Sequence, residues 1–186
     1  ENEFLKVTLD PKTGWIKSIV DKAARREILR APACLLALAD EPEAMSAWEL
    51  GLKGLVGKVG QGGSRIEVVE SGPARAVVRI SSAFRRSSFI QELVLARGVP
   101  RLDIRVRGNW QERSLMIKAA FPLALEAAAA EFEIPYGTIT RPTDGTEVPA
   151  LRWIDVSAGD GAYGVGILND SKYGFDVKGS EARVSL

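Results

Sequence analysis

Apolar and polar residues alternate with period two along most of the chain. In residues 4–10, Leu5, Val7 and Leu9 face one way and Lys6, Thr8 and Asp10 the other, which is the pattern of an antiparallel strand with one face on a core. The turn Asp10-Pro11-Lys12-Thr13-Gly14, with Pro setting φ and Gly free to take positive φ, sends the chain back into a second strand over 15–20. Residues 21–27, with Asp21-Lys22 and Arg25-Arg26-Glu27, read as a solvated loop. The apolar run 33–39 predicts a fully buried strand, stopped by Asp40-Glu41-Pro42. Two hairpins follow: 65–70 with 75–81 across Ser71-Gly72-Pro73-Ala74, and 87–97 with 101–107 across Gly98-Val99-Pro100. In the second, Leu102, Ile104 and Val106 share one face. Asp103, Arg105 and Arg107 share the other, a charged row that predicts cross-strand ion pairs. Strand-like runs at 115–122, 153–156, 163–168, 175–177 and 182–186 complete the set.

Two stretches break the pattern. Residues 51–63 hold Gly51, Gly54, Gly57, Gly60, Gly62 and Gly63. A phosphate-cradling loop needs a strand before it, a helix after it and Lys-Ser/Thr at its end. Gly63-Ser64-Arg65 leads into a strand instead, so an irregular connection is expected. The run Leu-Ala-Leu-Glu-Ala-Ala-Ala-Ala at 123–130 favours helix intrinsically. Pro122 before it and the strand-like runs around it favour strand and loop, with at most a short helical turn. Many short strands joined by turns predict an all-β antiparallel sandwich with little helix.

With 186 residues, of which 46% are hydrophobic, the chain is long enough for one domain with a real core, and no apolar run is long enough to span a bilayer. Lys and Arg number 25 against 24 Asp and Glu, a net charge of +1, which gives no electrostatic case for nucleic acid or an anionic membrane as a partner. Histidine is absent, which excludes Ser-His-Asp and Cys-His catalysis within this chain. The one cysteine, Cys34, sits in the apolar run Ala33-Cys34-Leu35-Leu36. It forms no internal disulfide and reads as a buried inert thiol. With one cysteine and no histidine, a zinc site here would need carboxylates for nearly all of its donors. The chain begins with Glu and enters strand alternation at once, and its last strand-like run reaches residue 186. A piece of a longer polypeptide is expected, in a cytoplasmic setting, with any targeting signal outside this stretch.

The polar candidates cluster at strand ends between Trp110 and Gly174. Trp110-Gln111-Glu112-Arg113 precedes Leu115-Met116-Ile117-Lys118-Ala119-Ala120-Phe121-Pro122; then come Glu133-Ile134-Pro135-Tyr136-Gly137, Arg141-Pro142-Thr143 and Ile167-Leu168-Asn169-Asp170-Ser171-Lys172-Tyr173-Gly174. In order and approximate spacing these blocks resemble the C-terminal β-domain of the family 38 glycoside hydrolases, the zinc-dependent retaining α-mannosidases. The likeness reaches back to the Ser18-Ile19-Val20-Asp21-Lys22 ending of the first hairpin and covers nearly the whole chain. An Ala47-Trp48-Glu49-Leu50 segment echoes the family's Asp-Ala-Trp-Asp, with Ser46 in place of the first Asp; Trp48 reads as a packing anchor rather than a sugar platform.

The resemblance implies a large two-sheet sandwich of the galactose mutarotase-like kind and a parent enzyme that hydrolyses terminal α-mannosides. It also implies that the nucleophilic Asp and the zinc ligands sit in an N-terminal α/β barrel, none of whose motifs occur here. This chain is then a non-catalytic domain whose partners are that catalytic domain of the same polypeptide and mannose-containing glycans. A retaining glycosidase needs two carboxylates flanking the scissile bond, and no residue here is assigned that role. Candidates for the rim of the sugar site are Tyr136, Arg141, Asn169, Asp170, Lys172 and Tyr173, since such sites combine an aromatic face with a few convergent polar groups. Each has a structural alternative: Asn169 and Asp170 as turn caps, Arg141 as a structural guanidinium able to pair with Asp170 and tie the loops together. A free-standing carbohydrate-binding module is the alternative to the domain as a whole.

Overall fold

The structure, a computed structural model, describes residues 1–45, 49–126 and 128–186. Trp48 lies outside the described residues. Among the described residues, seventeen strands run in chain order: β1 (Leu5–Leu9), β2 (Ile16–Asp21), β3 (Arg26–Glu27), β4 (Cys34–Asp40), β5 (Leu52–Lys58), β6 (Ser64–Ser71), β7 (Arg75–Phe84), β8 (Ser87–Ala96) and β9 (Leu102–Asn109). They continue as β10 (Leu115–Pro122), β11 (Ala129–Ile134), β12 (Gly137–Arg141), β13 (Val148–Pro149), β14 (Trp153–Ser157), β15 (Gly164–Leu168), β16 (Gly174–Lys178) and β17 (Glu181–Ser185). There is no helix among the described residues. The protein is the all-β antiparallel sandwich that the alternation predicts. Its strands hydrogen-bond in four ladders: β1-β2-β3, β13-β16-β17-β10-β4-β5, β12-β11-β14-β15, and the meander β6-β7-β8-β9.

One core serves all four. Ile16 and Ile19 from the first ladder, Ile80 and Leu93 from the meander, Phe132, Ile154 and Val156 from the third, and Phe175, Val177 and Val184 from the six-stranded sheet pack together. A smaller cluster of Leu35, Ala37, Ile117, Val59 and Phe89 seals the six-stranded sheet against the meander. Full burial of a side chain of this size contributes about 1.5–3 kcal/mol. Tyr163 ties the first ladder to the third: its hydroxyl donates to Asp21 at 3.0 Å, and the Arg26 guanidinium lies 4.8 Å from its ring centroid. Burial, with the hydrogen bond and charge of Asp21, pushes the Tyr163 phenol up to about 12.

Two local expectations change and a third holds. The glycine-rich stretch is not an irregular connection throughout: Leu52–Lys58 is an edge strand, paired to β4 with register shifts. Gly57 is there for contact rather than looseness, because a Cβ at that position would come within 2.9 Å of the Phe84 ring. Glu27 is not merely solvated: its carboxylate accepts from the backbone of Ile19 (2.9 Å) and Leu29 (3.0 Å) and from the Ser18 hydroxyl (2.5 Å). Burial pushes its pKa up, yet these bonds together hold it below the ordinary value. The alanine-rich run is extended where described. Leu123 donates to the Ser180 carbonyl and Ala124 to that of Ile28, while Leu123 and Leu125 are buried. Backbone partners supplied by distant strands override a helical propensity of a few tenths of a kcal/mol per residue.

Candidate functional site

The β11–β12 hairpin closes on two residues, Pro135 and Tyr136, because Ile134 pairs with Gly137. Tyr136 takes φ 65° in that turn, a left-handed conformation that a side chain with Cβ adopts at a cost of about 1–2 kcal/mol. Its ring is fully exposed. A strained residue that contributes no packing to its own domain is an indication of function elsewhere.

Register brings the start of β14 and the end of β15 to the same end of the sheet, since Phe132 faces Ile154 and Trp153 faces Leu168. Residues 149–152 are the hub there. The Leu151 amide donates to the Glu133 carbonyl at 3.0 Å, and the Arg152 amide to the Glu133 carboxylate at 2.6 Å. The Asn169 amide donates to the Arg152 carbonyl at 2.7 Å. Asn169 Oδ1 in turn accepts from the amides of Ser171 (3.0 Å) and Lys172 (2.5 Å), an Asx turn that shapes the loop carrying Asp170, Lys172 and Tyr173. Ala150 donates to the Tyr173 carbonyl at 3.0 Å. Tyr136, Asn169, Asp170, Lys172 and Tyr173 therefore gather at one end of the third ladder, with Tyr173 more than half exposed and Leu168 beside it also open to solvent.

Arg141 is placed differently. It is at the far end of β12 from Tyr136, opposite Ala130, and its side chain returns to the hub. Nη1 donates to the Pro149 carbonyl at 2.6 Å, and the guanidinium lies 5.1 Å from the Phe132 ring centroid. The expected Arg141–Asp170 pair does not form among the described residues: Arg141 Nη1 donates to Pro149, and Asp170 accepts from the Ser171 hydroxyl at 3.1 Å. The loops are held instead by backbone groups of 149–152, which no side-chain pattern announces.

Beneath this end is a buried charged network that composition and motif did not single out as functional. Lys118 on β10 is fully buried and contacts both Glu147 and Asp176; Asp176 also accepts from Arg183 Nε at 2.5 Å, and Ser185 donates to Glu147 at 2.5 Å. The available signal was a cation in the strand Leu115–Pro122 and an aspartate between the buried Phe175 and Val177. A charge inside an apolar strand must be paired. On the open face of the third ladder, Glu131 faces Asp155 directly. Burial, and then the Glu131 charge, raise the Asp155 pKa.

The arrangement offers aromatic faces and hydrogen-bonding groups at a rim, the equipment for holding a polyol. Among the described residues no three His, Cys, Asp or Glu side chains are arranged to hold a metal, and burial pushes the thiol of Cys34 up to about 11, away from the thiolate that a metal requires.

Comparison with known proteins places these features. Residues 1–186 match the family described as glycosyl hydrolases family 38 C-terminal domain. The mouse (Mus musculus) protein alpha-mannosidase 2C1 is 30% identical over 200 residues, which take in 100% of this chain and 19% of that protein. The chain thus spans 19% of the length of a much longer relative. Among solved structures, an alpha-mannosidase from Enterococcus faecalis V583 superposes with a TM-score of 0.80 at 16% identity, covering 100% of this chain and 25% of that one. A galactose mutarotase-like protein from Lactobacillus casei ATCC 334 superposes with a TM-score of 0.54 at 10% identity, covering 100% and 85%. These structural likenesses show the fold.

Proposed function

Since the chain belongs to the C-terminal domain family of the family 38 glycosyl hydrolases, we propose that it is the non-catalytic β-domain of an α-mannosidase that hydrolyses terminal α-mannosides, and that it lends Tyr136, Asp170, Lys172 and Tyr173 to the rim of the sugar site. The observation that carries the rim is Tyr136, strained in φ, fully exposed, and set beside the Asn169 loop by the 149–152 hub. Tyr136 and Tyr173 offer ring faces to a pyranose, and Asp170 and Lys172 offer hydrogen bonds to its hydroxyls. Asn169 and Arg141 hold the loops rather than touch sugar: the Asn169 side-chain oxygen accepts from two loop amides, and Arg141 Nη1 donates to the Pro149 carbonyl.

The zinc and the two carboxylates of the hydrolytic reaction are assigned to the catalytic domain of the same polypeptide, a reading supported by the absence of histidine from this chain. The test uses the full-length enzyme carrying Tyr136→Ala, Tyr173→Ala or Asp170→Asn. Turnover of an aryl α-mannoside at low substrate falls while the melting temperature holds if these residues form the rim. Unchanged catalysis makes the loops scaffold. Tryptophan fluorescence that responds to mannose in this chain alone would favour the free-standing module instead.

A further inference from the structure

We infer that Lys118 is a positioning residue: through Glu147 it holds the segment 141–149 and so sets where the loop-tying Arg141 and the rim residue Tyr173 stand. The inference rests on the rim proposed above. Strand alternation turns Ile117, Ala119 and Val184 towards the core clusters, so Lys118 belongs to the opposite face of the six-stranded sheet, where Leu36 and Ser185 are its cross-strand neighbours. Its ammonium is fully buried, between Asp176 two strands away and Glu147.

Glu147 is the member of this network that lies on no strand. The chain around it runs beside the edge strand β16, with Asp144 bridging Lys178, Val148 pairing with Phe175 and Pro149 with Gly174. The stretch from Asp144 to Val148 is one residue longer than the stretch it faces, and a surplus residue of this kind bends a strand and re-aims a side chain. The Glu147 carboxylate crosses over β16, with one oxygen on the Ser185 hydroxyl and the other on Lys118. Gly174 makes the crossing possible: a Cβ there would lie 2.7 Å from Glu147 Oε1 and 3.1 Å from the Ser185 Cβ.

Two residues after Glu147, the Pro149 carbonyl receives Arg141; the next amide, Ala150, reaches the Tyr173 carbonyl. Tyr173 is in turn bonded in sequence to Gly174. The buried cation thus fixes Glu147, Glu147 fixes the hub, and the hub fixes Arg141, which ties the loops, and Tyr173 at the rim. The positioning role also gives Gly174 a reason that turn geometry does not, since its φ lies outside the left-handed region.

The test is steady-state kinetics of the full-length enzyme on p-nitrophenyl α-mannoside with Glu147→Gln and, independently, Gly174→Ala, beside Arg79→Met on the remote meander and Tyr136→Ala at the rim. The expected result is a KM raised about five- to tenfold in both positioning variants with kcat within about twofold, the signature of lost binding without lost chemistry. Arg79→Met leaves KM unchanged. If Glu147→Gln and Gly174→Ala lower only the melting temperature while Tyr136→Ala raises KM, the positioning role is overturned and the rim stands. If none of the three moves KM, the rim falls and this inference with it. Failure of both positioning variants to yield folded enzyme also overturns it, because the network would then be part of the fold itself.

Discussion

The meander β6-β7-β8-β9 and the wrapped edge around β13 and β16 both carry charged side chains, and they use them in opposite ways. On the meander, Arg79 pairs with Glu92 across the β7–β8 ladder, Arg75 with Glu70, and Arg101 with Asp103, all with partners at least partly in solvent. At the wrapped edge, Lys118 and Asp176 are buried, and Glu147 and Arg183 are mostly so. Water already satisfies the first set, so each pair adds little, typically about 0–1 kcal/mol. The second set has traded water for its partners, so removing one member strands the rest. The meander's charges keep an open face soluble; those of the wrapped edge decide where a chain segment goes.

The largest expected effect follows from that contrast. Lys118→Met leaves Glu147 without its cation and Asp176 with Arg183 alone, and is expected to cost about 3–5 kcal/mol, whereas Arg79→Met costs about 1 kcal/mol or less. Urea unfolding of both variants checks this, and equal losses would erase the distinction between the regions.

Within the rim, Asn169→Ala removes the acceptor for the Ser171 and Lys172 amides. A loss of about 1 kcal/mol is expected, the usual worth of a hydrogen bond of this kind. It should come with faster proteolysis between Asn169 and Gly174 and none in the meander, which limited digestion reads directly.

Tyr136→Gly sharpens the comparison between strain and stability. Glycine takes positive φ freely, so the melting temperature is expected to hold or rise by a degree or so while turnover of the full-length enzyme at low mannoside falls, as the proposed rim role requires. A fall in stability with unchanged catalysis would make Tyr136 a packing residue.

The smallest effect is expected at Asp155. Its folded pKa is raised, so the folded state keeps a proton that the unfolded chain has released. Stability is lost as pH rises from the ordinary carboxylate value through the raised one, and the penalty is in place above the raised value. Asp155→Asn should raise the melting temperature slightly at pH 7, by a few tenths of a kcal/mol on this half-exposed face. The gain should shrink as the pH approaches about 4, which a series of thermal melts across pH resolves.

Much of the molecule was legible in the order of its residues. Alternation at Leu5-Val7-Leu9 and Leu102-Ile104-Val106 names the strands and their inner faces, because a strand's side chains alternate whatever it packs against. Ser71-Gly72-Pro73-Ala74 and Gly98-Val99-Pro100 name the meander's turns, because turn chemistry is local. The missing histidine rules out His-dependent catalysis within the chain before any coordinates are seen. Tyr136, Asn169, Asp170, Lys172 and Tyr173 could be picked out as polar and aromatic residues at strand ends.

What local pattern cannot carry is partnership at a distance. Lys118 meets Glu147 across 29 residues and Asp176 across 58. Nothing near Arg141 says that it will choose the Pro149 carbonyl over Asp170, and the alanines at 123–130 were overruled by strands that begin far away in the chain. Glycine was the most misleading residue type: at Gly57 and Gly174 it marks where a ring or a carboxylate passes close to the backbone. The sequence by itself determined which residues had to be buried and which turns they required. The tertiary structure decided which charges had to find each other, because only burial makes an unpaired charge costly enough to choose a partner.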